Sequence, residues 1–196
     1  FINGEPRWCL WLDGVSPVVL RGMPTVMERV QRVKEMREAS VDQGARKLAL
    51  TPTTFRETNN PDSAIVIPCH SSENRRYVPM GFIDKSVVVT NAVLFIPNAD
   101  IYHFGILTSN IHMAWMRAVC GRIKSDYRYS KDVVYNNFPW PTPTEAQKAK
   151  IEQTAQAILD ARALYPDCSL ADLYDEVTMP PELRKAHQQN DKAVMQ

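Results

Sequence analysis

At 196 residues, with 44% hydrophobic and 23% charged side chains, the chain has ordinary globular composition and room for one large domain or a medium domain with a smaller appendage, which excludes disordered and fibrous classes. Its formal net charge of +1 is too balanced for a free-standing nucleic-acid binder unless the basic residues cluster or a neighbouring domain supplies charge. The longest apolar run, Val87 to Pro97, is broken by Thr90 and Asn91 and falls short of a membrane span, so a cytoplasmic protein without membrane contact is expected.

In chain order, Asn3-Gly4 reads as a turn entering a strand that carries Trp8, Leu10 and Leu12 in alternation. Pro24 suits a first helical turn, and Val26, Met27, Val30 and Val33 then recur at helical spacing. Arg46 to Phe55 reads as a loop-rich connection. Ala64–Pro68, Arg76–Ile83, Ser86–Thr90 and Ala92–Ile96 are β-branched or aromatic runs that predict a sheet. Helical pattern returns from Ala99, with Ser109 as a cap and Gly121 as a stop. Ile123–Tyr129 alternates, Val133–Phe138 reads as extended, and the proline-rich FPWPTP leads out of the domain. Beyond it, Thr144 and Gln147 form a capping box before a stripe of Ile151, Ala155, Ile158, Leu159 and Tyr165, interrupted by Arg162; Ser169 and Pro181 start two further helices. The expected organisation is α+β: a mixed-sheet domain with flanking helices over residues 1–141, then a small helical domain over 142–196, whose helices need a partner surface.

Several chemistries lack their residues. No GxGxxG or Walker pattern is present, His70, His103, His112 and His187 do not fall at metal spacing, and Asn60-Pro61-Asp62 and Asn137-Phe138-Pro139 lack the proline pair and aromatic that would hold a flipped base. The chain is therefore expected to be non-catalytic, with no cofactor or metal of its own. Cys9, Cys69, Cys120 and Cys168 stand apart without a CxxC pair and read as reduced, mostly buried thiols. The start at Phe1, without an initiator Met or a targeting signature, reads as a fragment of something longer.

Three stretches carry a resemblance: SSENRRYVPMGF from Ser71, YHFGILTSNIHMAW through GRIKSDYRYSKDVVYNNFPWP from Tyr102 to Pro141, and LADLYDEVTMPPELRKAHQQNDKAV from Leu170. In order and composition they resemble segments of MmeI-like restriction-modification proteins, covering roughly two fifths of the chain. The resemblance implies a double-stranded DNA target-recognition domain and a C-terminal helical region. Their parent would join an adenine amino-methyltransferase to an endonuclease, with S-adenosylmethionine and Mg expected there and the methyltransferase domain of the same polypeptide as a partner. The alternative is a structural or protein-interaction scaffold of that parent without base contacts.

The residues give this reading physical content. In Lys124-Ser125-Asp126-Tyr127-Arg128, an extended segment sets Lys124, Asp126 and Arg128 on one face. Lysine donates to guanine O6 and N7 and aspartate accepts from the cytosine amino group, so Lys124 and Asp126 suit the two edges of one G·C pair. The bland alternative is a surface salt bridge between them. The resemblance implies a recognition pair at these two positions whose identity varies with the final base of the site, Lys with Asp implying G. It also implies base contacts near Arg128, Asn91 and Ala92, and near His70; a turn residue between strands is the other reading of Asn91. Ser71, Ser72, Arg75 and Arg76 have the composition of a phosphate-gripping loop, to which Arg46 and Lys47 add, although an ion pair with Glu73 competes. Tyr77, Tyr127, Tyr129 and Trp140 read as packing aromatics and LYDEVTMPPELRKAH as a clasp.

Overall fold

Two compact units divide the chain in a computed structural model that describes residues 1–196: Arg7–Asn59, and Phe1–Pro6 together with Asn60–Gln196. In the smaller unit, Ser16 caps helix α1 (Pro17–Arg21), and α2 (Pro24–Glu38) starts at the proline whose fixed φ suits that position. The expected strand through Trp8 does not form. No edge pairs with it, and Leu10 and Leu12 instead line a groove with Val30, Val33 and Phe55. The loop-rich reading of Arg46 to Phe55 is corrected as well, because helix α3 (Gln43–Leu48), capped by Asp42, extends into it. Arg37 then organises the remainder by donating to the carbonyls of Leu48, Thr51 and Thr54 at 3.0, 3.1 and 2.8 Å.

The larger unit is built on strand β1 (Ser63–Pro68), whose run SAIVIP is buried on both faces past its first residue. It pairs antiparallel with β3 (Gly81–Asp84) on one side and β4 (Val93–Pro97) on the other. Ser86–Thr90, expected as a strand, pairs with none and crosses between β3 and β4 as irregular chain, leaving the outer edges of both unpaired. After a single intervening residue, Cys69, the chain re-enters a second sheet as β2 (His70–Ser71). There β2 pairs with β6 (Asp126–Arg128), which pairs with β5 (Gly121–Ile123). Cys69 is the corner between the sheets: its N–H donates to the Ala92 carbonyl at 3.1 Å and its carbonyl accepts from Tyr129 N–H at 2.9 Å.

Helices α4 (Ile101–Leu107) and α5 (Asn110–Val119) begin at Asp100 and Ser109, whose side chains cap them. A π-helical turn, Lys131–Tyr135, replaces the extended run expected at Val133. It buries Val134 and lets the Val134 carbonyl accept from the Trp115 indole at 2.9 Å. The capping box at Thr144 opens α6 (Glu145–Ala163), Ser169 opens α7 (Leu170–Leu173), and Pro181 is the first residue of α8 (Pro181–Val194). Arg162 does not interrupt the stripe of α6 so much as use it. Its guanidinium donates to the Met80 carbonyl at 2.7 Å and to the Tyr174 hydroxyl at 2.9 Å while lying over the rings of Phe104 and Tyr174.

The surface these C-terminal helices need is supplied by α4. Gly105 permits the approach, because a Cβ there would stand 2.7 Å from Ile151 Cγ2 and 3.1 Å from Ala155 Cβ. The Asn190 amide bridges the same point, donating to the Gly105 carbonyl at 2.7 Å and accepting from Thr154 Oγ1 at 3.0 Å. Gly105→Ala is expected to push α6 off α4 and cost about 1–3 kcal/mol, read as a lowered urea midpoint with unchanged slope.

Candidate nucleic-acid interface

The second sheet presents the predicted reading residues. Antiparallel partners project from the same face, so the register His70↔Arg128↔Gly121 sets His70 beside Arg128, with Asp126 two residues along β6 on that face. All three are exposed, whereas Tyr127 between them is buried and faces Ser71 and Arg122. Gly121, which pairs with Arg128, carries no side chain to flank it on that face.

One extended segment from Lys124 to Arg128 is not what forms. Ile123 pairs with Asp126, so Lys124 and Ser125 are the two-residue loop of a hairpin, and Lys124 sits at its tip with φ +56°. A positive φ confined to the first loop residue is the sign pattern of a type II′ turn, a position that favours glycine. A lysine held there stores backbone strain of order 1–3 kcal/mol. Alternation holds within β6, where Asp126 and Arg128 share a face, but it does not extend through the turn, where Ile123 pairs with Asp126 and Lys124 belongs to the loop.

The bland salt bridge is also absent. Lys124 lies within 4.0 Å of no acidic oxygen, and neither does Arg128. Asp126 Oδ1 accepts only a long bond, 3.4 Å, from the Glu73 backbone N–H. Asn91 and Ala92 are exposed in a turn that enters β4 rather than leaving a strand, and the bond from Cys69 N–H to the Ala92 carbonyl ties that turn to the residue preceding His70.

The phosphate-gripping set is only partly assembled. Ser72 is half-buried and Arg76 is exposed in the turn after β2, but Ser71 faces inward with its hydroxyl buried, so it cannot meet a DNA backbone. Alternation decides this: Ser71 pairs with buried Tyr127, whereas His70 pairs with exposed Arg128. Arg75 is half-buried, its Nε without a partner in the chain. The competing ion pair of Arg75 or Arg76 with Glu73 does not form, because Glu73 turns to Arg122 at 3.7 Å. Lys47 and Arg46 are exposed on α3 of the other compact unit, where Arg46 donates to the Ser40 and Val41 carbonyls.

Two arginines were not anticipated. Arg117 of α5 donates to the carbonyls of Arg75 and Arg76, fixing their backbone, and Arg122 braces the hairpin from its inward side. No periodicity flags either: Arg117 acts on carbonyls some forty residues away, and Arg122 acts on a turn carbonyl of its own hairpin.

Beneath the sheet, His112 is fully buried and hydrogen-bonded to the Tyr129 hydroxyl at 2.9 Å, and burial lowers its pKa to about 4. Burial raises the phenol of Tyr129. His187 stacks on Tyr77 and bonds the Tyr174 hydroxyl at 2.7 Å, and burial, helped by the Arg162 charge, holds it well below the usual histidine range. Tyr77 and Tyr127 pack inside as expected, and Trp140 lies edge-on to Phe138. All four cysteines are free, but none is fully buried, Cys9 and Cys168 being exposed on irregular segments. No three His, Cys, Asp or Glu side chains gather as a metal site would require, and no helix is long and apolar enough to cross a membrane.

The chain is similar to known proteins. The family model described as MmeI, target recognition domain, matches residues 1–142, and that described as MmeI, C-terminal domain, matches residues 143–196. DNA methyltransferase A of Bacillus subtilis (strain 168) is 44% identical over 195 residues, 99% of this chain and 22% of the relative. A structure of the type IIL restriction-modification enzyme MmeI in complex with DNA aligns with a TM-score of 0.96 at 50% identity, over 99% of this chain and 26% of that one. The chain therefore spans about a quarter of the length of these relatives.

Proposed function

This chain belongs to the MmeI family through a target recognition domain followed by a C-terminal domain, and on that footing we propose that it reads double-stranded DNA for a larger restriction-modification polypeptide. The observation that carries the proposal is the exposed face formed by β2 and β6: His70, Asp126 and Arg128 gather there, and Lys124 stands at the hairpin tip with no ion pair to occupy it. Surface charges left unpaired are available to base edges. Lys124 donates to guanine O6 and N7, and Asp126 accepts from the amino group of the paired cytosine. Arg128 offers a fork to guanine, Asn91 a bidentate partner to adenine, and Ala92 a methyl for apolar contact with thymine; His70 flanks Arg128. Ser72, Arg75 and Arg76 grip phosphates and set register without reading sequence. The functional boundary falls at residue 141, the helical part from 142 serving as the clasp.

The parent polypeptide, in this reading, is a cytoplasmic adenine methyltransferase and endonuclease. S-adenosylmethionine supplies the methyl group there and Mg²⁺ serves cleavage, both bound by parts of the polypeptide outside this chain. What this chain contributes is the choice of site and the orientation of the duplex toward the methyltransferase domain.

A second reading, a scaffold of that polypeptide without base contacts, draws on the net charge of +1. Titration of cognate and random duplex across salt concentrations separates the two, because a scaffold has no DNA affinity that falls with salt. Lys124→Ala is expected to lose about 1–3 kcal/mol of discrimination at one G·C position while affinity for random duplex is kept. Equal weakening on every sequence would make Lys124 a phosphate contact instead.

A further inference from the structure

Arg122 lies on the opposite face of the hairpin from Asp126, directly across from Tyr127, and its guanidinium is already committed. It lies over the Tyr127 ring with Cζ 4.5 Å from the centroid, donates to the Ser125 carbonyl in the turn at 2.7 Å, and faces the Glu73 carboxylate at 3.7 Å. Glu73 closes the circuit, since its backbone N–H reaches Asp126 Oδ1. Four elements of one small motif are thus tied together: the turn that holds Lys124 at positive φ, the carboxylate of Asp126, the loop after β2, and the buried ring of β6.

Resting on the reading of this hairpin as a base-reading element, we infer that Arg122 and Glu73 form a positioning clamp that sets base discrimination without touching DNA. A two-residue loop with lysine at a glycine position is strained and has several other conformations open to it. A guanidinium fixed on the second loop carbonyl selects one of them. Because Glu73 also meets Asp126, the clamp orients both halves of the pair that reads one G·C step. An arginine suits all three contacts, one guanidinium nitrogen bonding the carbonyl and facing the carboxylate while the planar group lies over the ring.

The test uses the full-length polypeptide that carries this chain, titrated with cognate duplex, duplexes substituted at each single position, and random duplex over a range of salt. Arg122→Ala is expected to lose roughly tenfold of its discrimination at the one position where Lys124→Ala loses it, with discrimination elsewhere and the salt slope unchanged. Arg122→Lys should fall between Arg122→Ala and the unsubstituted protein. Glu73→Ala removes an exposed side chain without opening the core, so it remains informative if Arg122→Ala fails to fold; it should relax the same single position. A reduced salt slope with uniform weakening would make Arg122 a phosphate contact and overturn the clamp, as would unchanged discrimination in Arg122→Ala and Glu73→Ala. If Lys124→Ala and Asp126→Ala also leave discrimination intact, the reading of the hairpin falls with it. If those two lose discrimination and the clamp variants do not, the clamp alone is wrong.

Discussion

Asp191→Ala is expected to be among the most destabilising single changes in the chain, costing about 3–5 kcal/mol. Asp191 projects from α8 into the seam below the sheets, where Oδ2 accepts from the Tyr77 hydroxyl at 2.7 Å and Oδ1 from the backbone N–H of Asn110 at 2.7 Å. The second donor is the first residue of α5, one of the N–H groups that a helix cannot satisfy internally, and a carboxylate there also meets the positive end of the helix dipole. Each bond to a charged acceptor is worth about 1.5–3 kcal/mol, and truncation strands a phenol that is 1% exposed. In a domain of this size such a loss lowers Tm by about 10 °C. Asp191→Asn keeps an acceptor for Asn110 and should lose much less, so comparing the two by thermal unfolding separates the bonds from the charge. The consequence reaches the face proposed to read bases, because the far end of α5 runs through Cys120 directly into β5. A clasp released at α8 would loosen the hairpin that α5 launches, and specificity should weaken before the chain unfolds.

Acid is expected to remove about 3 kcal/mol of stability through His112 alone. Its ordinary value is 6.5 and burial lowers it in the folded chain to about 4. As pH falls through 6.5 the unfolded chain takes up a proton that the folded chain refuses, so the stabilisation is complete above that pH and drains away down to about 4. The span of about 2.5 units corresponds to about 3 kcal/mol. His187, also buried and depressed, acts in the same direction. Urea midpoints at pH 7 and pH 4.5 should differ accordingly, and His112→Gln should flatten part of the difference; a midpoint indifferent to pH in this interval would show that both imidazoles reach water. Since His112 holds the Tyr129 hydroxyl, and Tyr129 N–H is bonded to the Cys69 carbonyl at the corner between the sheets, protonation undermines the support of Arg128 directly.

The legibility of the chain follows the range of the interactions involved. Helix starts were readable because a cap is a contact between neighbours: Ser109, Thr144 and Ser169 each bond a backbone N–H three residues on. The run SAIVIP announced a buried strand through its continuous apolar composition. Ser86–Thr90 had the same propensity and Trp8–Leu12 the alternation, but neither pairs with another strand, because propensity and alternation do not by themselves supply a partner. The donors and acceptors of Lys124, Asp126 and Arg128 were legible, while the bend between the first and the other two was not, because it is fixed by the pairing of Ile123 with Asp126.

What the residue order determined by itself was local: the caps, the prolines that open α2 and α8, the apolar stripes, and the donors and acceptors suited to base edges. Tertiary structure alone decided that His70 stands beside Arg128, that Ser71 faces inward while Ser72 does not, that Arg117 spends its guanidinium on the Arg76 carbonyl, and that Arg122 faces Glu73. The physical reason is that a strand acquires its neighbours, and a charge its partner, only when segments tens of residues apart are brought to bonding distance. Nothing in the pattern of either segment encodes that separation.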